Sequence, residues 1–384
     1  MDITPCFCVA AAAVLLFTLL WRPQEGCGAR LWLGTCGALC GVFGALGAAL
    51  CYLTALPAAV CCSILIGCSF VLMICQTERR VEPLQSKAVV ITGCDSGFGH
   101  ALAKRLSEAG VKVFAGVLDV NGVGAQQLRE RGSENLQVLQ LDVTDSSQIE
   151  TAHRIICSQV ADTGLWGLVN NAGVLLCPID AELQPMTAYK RCMDVNFLSA
   201  VRMCQVFLPL LRSSKGRIVN VSSMAGEVPM PMFAAYGASK AALSVFSNVM
   251  RLELSRWGVK VALIQPAGFR TNIFGTSEDA ARYTDEILSD ISPEAREDYG
   301  EAYISSLPAS LSKMSRESPE DLSPVVDAMS HALLSVHPKP LYTPGQMAWF
   351  FPLLHRCCPT AMFSAIISRF PKHTNYKPAA LSRS

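Results

Sequence analysis

Lys87-Ala-Val-Val-Ile91 is an unbroken apolar run, and Thr92-Gly93-Cys94-Asp95-Ser96-Gly97-Phe98-Gly99 follows it directly. Helical periodicity then runs from Ala101 to Ala109 and stops at Gly110. A strand, a glycine-rich turn and a helix in that order constrain the fold more than any other part of the chain. The glycines allow a tight turn and let backbone N–H groups and a helix N-terminus approach a pyrophosphate. Val111–Val117, Leu136–Leu141, Leu168–Asn171, Arg217–Val221 and Val259–Gln265 read as further strands with helices between them, and Leu341-Tyr342 as a short seventh. Continuous apolar strands separated by helices mean a parallel sheet covered on both faces. The expected fold class is α/β, a doubly wound (Rossmann) parallel sheet of about seven strands, preceded by N-terminal transmembrane helices.

The front of the chain is built differently. Only 16% of all residues are charged, and from Leu31 to Thr77 there is no Asp, Glu, Lys or Arg. Crossing a bilayer takes about 20 apolar residues. Pro5–Trp21, Leu31–Leu56 and Ala58–Cys75 come near that length, and Pro57 marks a turn between the last two. A secretory signal peptide is the competing reading of the first stretch, but Asp2 is its only charge and two more apolar stretches follow. The residues divide into a membrane anchor of two or three spans over 1–77, a linker over 78–86, a nucleotide-binding domain over 87–345 and an apolar C-terminal segment over 346–384. Arg22, Arg30, Arg79 and Arg80 flank the spans and lean the domain that follows toward the cytosol.

Residues 270–335 are polar and read as a substrate lid. Met347–Phe370 is apolar and aromatic, and suits either a membrane surface or a core or subunit-contact helix. With a net charge of +1 the chain has no basic footprint for nucleic acid. Ten of its 17 cysteines lie at or before Cys75, where they serve as small hydrophobes. The other seven show no zinc-ligand spacing, so no metal is expected. His100 reads as a solvated residue of the first helical turn.

Gly93, Gly97 and Gly99, with Thr92, Asp95, Ser96 and Phe98 of the same turn, are the candidate pyrophosphate site. Asp119 lies twenty residues beyond Gly99 at the end of the second strand. A carboxylate there accepts hydrogen bonds from ribose hydroxyls and repels a ribose phosphate, which favours NAD over NADP. The competing reading is a solvated strand-end Asp. Asp142 and Val143, after the third strand, and Asn171-Ala172-Gly173, after the fourth, sit at strand carboxyl ends where ligands bind in such sheets. Asp and Asn are also common there as turn formers.

Tyr236 and Lys240 share one helix face, and Ser223 lies thirteen residues before the tyrosine. A phenol with its ordinary pKa near 10 is a poor base at neutral pH, and a nearby ammonium favours its ionised form. Ser223 ends a strand where it can hydrogen-bond a substrate oxygen. The apolar stretch Met224–Phe233 between them suits a lipophilic substrate, or ordinary packing.

From about Lys87 to Phe274 the chain resembles the short-chain dehydrogenase/reductase family, on Thr92-Gly93…Gly97-Phe98-Gly99, Asn171-Ala172-Gly173 and Tyr236…Lys240. The resemblance implies a general base at Tyr236, a ribose-binding Lys240, an alcohol-orienting Ser223, a water relay held by Asn196, and cofactor contacts from Pro266 and Thr271. One departure is Pro266-Ala267-Gly268, where the family has Pro-Gly. Gly164-Leu165-Trp166, Leu208–Gly216 and Glu297–Ile304 are similar to the membrane-anchored hydroxysteroid dehydrogenases, and Val219–Met224 with Val249–Leu254 to those acting at position 17. That likeness implies NAD-linked oxidation of a steroid 17-hydroxyl at the endoplasmic reticulum membrane; the oligomeric state is left open, a homodimer being one candidate. Cortisol 11-beta-dehydrogenation, retinol dehydrogenation and a non-catalytic NAD-binding scaffold are the alternatives.

Overall fold

In a computed structural model of the chain, residues 86–131, 134–176, 178–368 and 377–383 are described. The chain divides into two compact units, Met1–Glu82 with Ser335–His337, and Pro83–Leu334 with Pro338–Ser384. The second carries the fold below. The two or three expected membrane spans lie outside the described residues.

The elements follow in order: β1 (Ala88–Ile91), α1 (Gly97–Glu108), β2 (Lys112–Val117), α2 (Val123–Arg131), β3 (Leu136–Gln140), α3 (Ser146–Gln159) and β4 (Gly167–Asn170). Next come α4 (Met186–Met193), a π turn (Asp194–Leu198), α5 (Ser199–Ser213), β5 (Arg217–Val221), α6 (Ala234–Leu254) and β6 (Lys260–Ile264). Then follow α7 (Ser277–Asp290), α8 (Pro293–Tyr299), α9 (Glu301–Ile304), α10 (Leu307–Glu317), α11 (Ser323–Leu334) and β7 (Leu341–Tyr342), and finally α12 (Phe350–Cys357), α13 (Thr360–Ile367) and α14 (Ala379–Arg383).

The strands form one seven-stranded sheet in the order β3-β2-β1-β4-β5-β6-β7, and every pairing is parallel. Chain direction across the sheet reverses between β1 and β4, which opens a crevice at their carboxyl ends. Side chains alternate between the two faces. Val89, Ile91, Val113, Val219 and Ile264 face α1 and α11, whereas Val90, Phe114, Leu168 and Ile218 face Ile149 of α3 and Met203, Phe207 and Leu211 of α5. That two-sided burial is why these strands read as continuous apolar runs.

Met186–Ser213 is long and apolar enough by composition to cross a membrane. Here its apolar stripe is the α5 face of the core.

Two boundaries differ from the sequence reading. The first helix begins at Gly97 rather than Ala101. Its opening turn, Gly97-Phe98-Gly99-His100, contains two poor helix formers, so periodicity alone does not reveal it. Of the lid segment 270–335, the final part is α11, whose Val325, Val326, Met329 and Leu333 are buried against the sheet. The rest of the segment folds as α7 to α10.

Candidate active site

The turn after β1 is tied to the loop after β4 by a compact set of hydrogen bonds. The Thr92 hydroxyl donates to Val169 O at 3.3 Å and accepts from the N–H groups of Asn171 and Ala172, each at 3.0 Å. The Asn171 amide donates to the carbonyls of Thr92 at 2.9 Å and Gly93 at 3.0 Å. Gly93 has φ of +67°, and a Cβ there would stand 2.8 Å from Ala172 Cα. A Cβ on Gly99 would stand 2.4 Å from Gly93 O. The turn is thus a cradle with no room for side chains, placed at the N-terminus of α1. The donors and dipole of that terminus suit an anionic pyrophosphate. Thr271 lies beside it, its Cγ2 3.4 Å from where a Cβ of Gly97 would be.

Several expected contacts turn inward. The Asp95 carboxylate accepts from the N–H of Leu118 at 3.0 Å and of Asp119 at 3.3 Å, so it locks the turn to the end of β2. Ser96 caps α1 through its backbone alone. Phe98 packs edge to face on Phe269 with centroids 5.7 Å apart. His100 is half-buried rather than solvated, because its Nδ1 lies 3.2 Å from Cys94 O and closes the turn.

At the adjoining strand ends, exposed Asp119 accepts from Asn121 N–H at 2.9 Å. Asp142 accepts from the N–H and hydroxyl of Thr144 at 2.9 and 2.7 Å, which makes it a turn former, and Val143 beside it is buried.

Ser223 follows β5 in an extended conformation, where its hydroxyl accepts from Ala225 N–H at 3.2 Å and lies near enough to the Tyr236 phenol to favour its ionised form. Tyr236 is in the first turn of α6 and buried. Lys240 lies one turn later, 5.7 Å from the phenol ring centroid. It is 3% exposed, and its Nζ donates to Val221 O at 2.9 Å.

Asn196 sits in the π turn, a feature often found at functional sites. Its amide bonds both backbone groups of Val174, at 2.8 and 2.9 Å. It also donates to Ser239 Oγ at 2.9 Å, and Ser239 in turn donates to Tyr236 O at 2.7 Å. A Cβ on Gly173 would lie 3.2 Å from both Asn196 Oδ1 and Lys240 Nζ, so asparagine and lysine converge there.

Pro266 O accepts from Met224 N–H at 3.0 Å and so joins the loop after β6 to the loop carrying Ser223. The extra methyl of Ala267 finds space against Gly345, where a Cβ would come within 3.0 Å of it.

Sequence reasoning missed Ser222, Ser239 and Ser244. The hydroxyls of Ser222 and Ser244 are 2.8 Å apart, and each lies 2.8 Å from the Lys240 carbonyl. The signal was present: Ser244 is four residues beyond Lys240, on the buried stripe of α6.

Burial dominates the electrostatics. It pushes the Tyr236 phenol up to about 12, against the opposing pull of the Ser223 hydroxyl, with Cys192 adding to the rise. It pulls the Lys240 ammonium down to about 8, opposed by Cys192. The lowering of the phenol expected from the Tyr–Lys spacing comes here from Ser223, while the lysine is engaged by Val221 O.

A third apolar cluster joins α7–α9 to the loop after β4. Ile179 and Leu183 pack on Ile287, Tyr303 and Ile304, with Met232 at the edge. Tyr303 donates to Asp180, Tyr299 donates to Glu182 at 3.1 Å, and Thr187 donates to Glu286 at 2.6 Å. These bonds fasten α7–α9 to the loop after β4 and to the first turn of α4.

The short chain dehydrogenase family model matches residues 87–282. Estradiol 17-beta-dehydrogenase 2 of Mus musculus is 43% identical over 381 residues, which cover 96% of this chain and 95% of the relative. 11-beta-hydroxysteroid dehydrogenase type 2 of Ovis aries is 44% identical over 277 residues, or 72% of this chain and 65% of the relative. A short chain dehydrogenase from Burkholderia cenocepacia, solved in complex with NADP, shares the fold with a TM-score of 0.54 at 22% identity, covering 76% of this chain and all of that one.

Proposed function

The chain belongs to the short-chain dehydrogenase family, and from that premise we propose that it oxidises the 17-beta-hydroxyl of steroids such as estradiol and testosterone with NAD. The observation that carries the reading is Ser223 beside the Tyr236 phenol with buried Lys240 one helical turn on, in a chain similar along nearly its whole length to an estradiol dehydrogenase. The glycine cradle fits a dinucleotide, whose nicotinamide accepts the substrate hydride when bound. Gly93, Gly97, Gly99 and Thr92 would hold the pyrophosphate. Asp119, Asp142 and Val143 would hold the adenosine end, and Asn171, Ala172, Gly173, Pro266 and Thr271 the middle and the carboxamide. Ser223 orients the substrate oxygen, Tyr236 takes its proton, and Lys240 with Asn196 serves the ribose and the proton relay.

Asp119 supports NAD over NADP by charge repulsion. A competing charge is near: Arg129 donates to Val120 O at 2.5 Å. Asp119→Ser should therefore weaken NAD and raise the relative efficiency with NADP, because the repelling carboxylate is gone while Arg129 remains. One experiment tests substrate and cofactor together, with estradiol, cortisol and retinol each assayed with NAD and NADP in wild type and Asp119→Ser. Cortisol or retinol outpacing estradiol would replace the steroid position. An unchanged cofactor ratio would leave Asp119 as a solvated strand end.

The apolar front of the chain supports attachment to the endoplasmic reticulum membrane with the catalytic domain in the cytosol. A chain beginning at Gln76 should lose carbonate-resistant membrane association, and full resistance would refute the anchor. A homodimer is supported by the exposed apolar residues Val245, Val249 and Leu252 along α6, with Leu198 on the π turn.

A further inference from the structure

The two helices after β7 have an inner and an outer side, and the fold treats them differently. The inner side is fixed. Arg356 of α12 pairs with Glu227 at 2.5 Å, and buried Phe363 of α13 packs on His355 with ring centroids 4.8 Å apart. These inner sides wall the apolar space against the loop from Ser223, on the substrate side of the site.

The outer side is apolar as well. Trp349, Leu353 and Cys357 are exposed and recur every fourth residue, so they form one stripe along α12. Trp349, at the N-cap, is 61% exposed. Met347 just before it and Met362 on α13 are exposed too. A lone exposed Leu or Met carries no meaning, but Trp, Leu and Met together on two successive helices mark a surface that something covers.

Two observations say what covers it. The first is charge. No Asp or Glu follows Asp327, whereas Lys339, Arg356, Arg369, Lys372, Lys377 and Arg383 do. An apolar helix face with basic flanks and no acid matches a bilayer with anionic headgroups. The second is reach. The apolar front of the chain, proposed above as the membrane anchor, ends at Cys75, and twelve residues separate it from Ala88 of β1. That length spans at most about 40 Å, so a bilayer is held near the folded domain at high effective concentration. A second copy has no such advantage, and the exposed apolar stripe of α6 already serves the proposed homodimer.

We propose that the outer face of α12 and α13 is a membrane-docking surface, seated among anionic headgroups with Trp349 and Leu353 meeting the first part of the acyl chains. Helices of this kind lie in the plane of the interface with their apolar side about 5–10 Å into the boundary between headgroups and chains. The surface rests on the proposed anchor only for the nearness of the bilayer.

The test uses the full chain reconstituted in vesicles of phosphatidylcholine and phosphatidylserine. Part of the phosphatidylcholine is brominated, either near the headgroup end of its acyl chains or near the methyl end. Trp349 emission is read as the difference between wild type and Trp349→Phe. Trp257, also exposed but at the far end of α6, is read in the same way through Trp257→Phe. Bromine near the headgroups should remove most of the Trp349 emission, bromine near the methyl ends little of it, and neither should touch Trp257. Leu353→Glu places a carboxylate in the stripe and should restore the Trp349 emission, with unchanged NADH affinity as the check on folding. Leaving out phosphatidylserine, or adding salt, should weaken the quenching.

Trp349 emission untouched by bromine overturns the proposal. That holds whether the residue stays open to acrylamide, as on a solvated face, or is shielded on raising the protein concentration, as under a second copy. Equal quenching of Trp257 overturns it too, because the domain would then meet lipid without a preferred face. Carbonate extraction of the same vesicles reads the anchor separately. Release of a chain whose Trp349 had been quenched would remove the anchor and leave this surface standing.

Discussion

Tyr236→Phe lowers NADH formation from estradiol by about 10²–10⁴-fold, the usual cost of losing a general base, and leaves folding and cofactor affinity as in the wild type. The ring stays buried against Phe233, with centroids 6.3 Å apart, and only the hydroxyl is lost. Without cofactor the phenol is pushed up to about 12 by burial. Each unit by which the bound complex lowers that value takes about 1.4 kcal/mol of preference for the phenolate. Oxidation follows the deprotonated fraction, so the wild-type rate should rise with pH up to the working pKa and level above it. That limb should vanish in Tyr236→Phe. Lys240→Met should be comparably damaging but should also weaken cofactor binding, which separates the base from the residue that holds the ribose. Near-wild-type turnover by Tyr236→Phe at matched protein levels would end this mechanism.

Gly99→Ala should strike the cofactor instead. Its methyl would stand 2.4 Å from Gly93 O and 2.5 Å from Asn171 Nδ2, atoms already committed to the bonds between β1 and β4. Forcing a methyl into such a place costs about 1–3 kcal/mol, a factor of about 5–150 if it falls wholly on affinity. NADH fluorescence titration reads that loss, and thermal unfolding reads any share that falls on stability. Gly110→Ala is the matched control. A Cβ there meets nothing within 4 Å, although its φ of +88° makes the change a strained one. It should lower stability and spare NADH affinity. Wild-type affinity in Gly99→Ala would remove the cradle from the cofactor site.

The sheet was legible in the residues because each core strand is buried on both faces. Val89, Val113, Val219 and Ile264 need no alternating partners and stand out as apolar runs. The reacting groups were legible for a related reason: Tyr236 and Lys240 are one helical turn apart, and that spacing survives any packing. What could not be read was where side chains spend their hydrogen bonds. Asp95 looks like a ligand contact in the turn, yet it holds Leu118, and Phe98 holds Phe269. Ser222 and Ser239 gain their places only when β5, the π turn and α6 meet. The C-terminal segment was undecided between a membrane surface and a packed helix. It is broken at Cys358-Pro359 into α12 and α13, and their inner sides wall a cavity against the loop from Ser223.

The π turn at Asp194–Leu198 has a consequence for how this helix can vary. A π turn holds one residue more than the α-helical turn it replaces. Upstream of it, Ala188 and Cys192 are buried, and downstream Met203, Phe207 and Leu211 are buried against the sheet. The extra residue is accommodated as a local bulge, and Asn196 sits in it, bonded to Val174 and Ser239. Removing one residue between 194 and 198 would let the stretch close to a regular helix, with the halves on either side keeping their faces. The cost would fall on Asn196, which would lose its place. Length in this segment is therefore a coded quantity: a residue lost there spares the core and costs the relay.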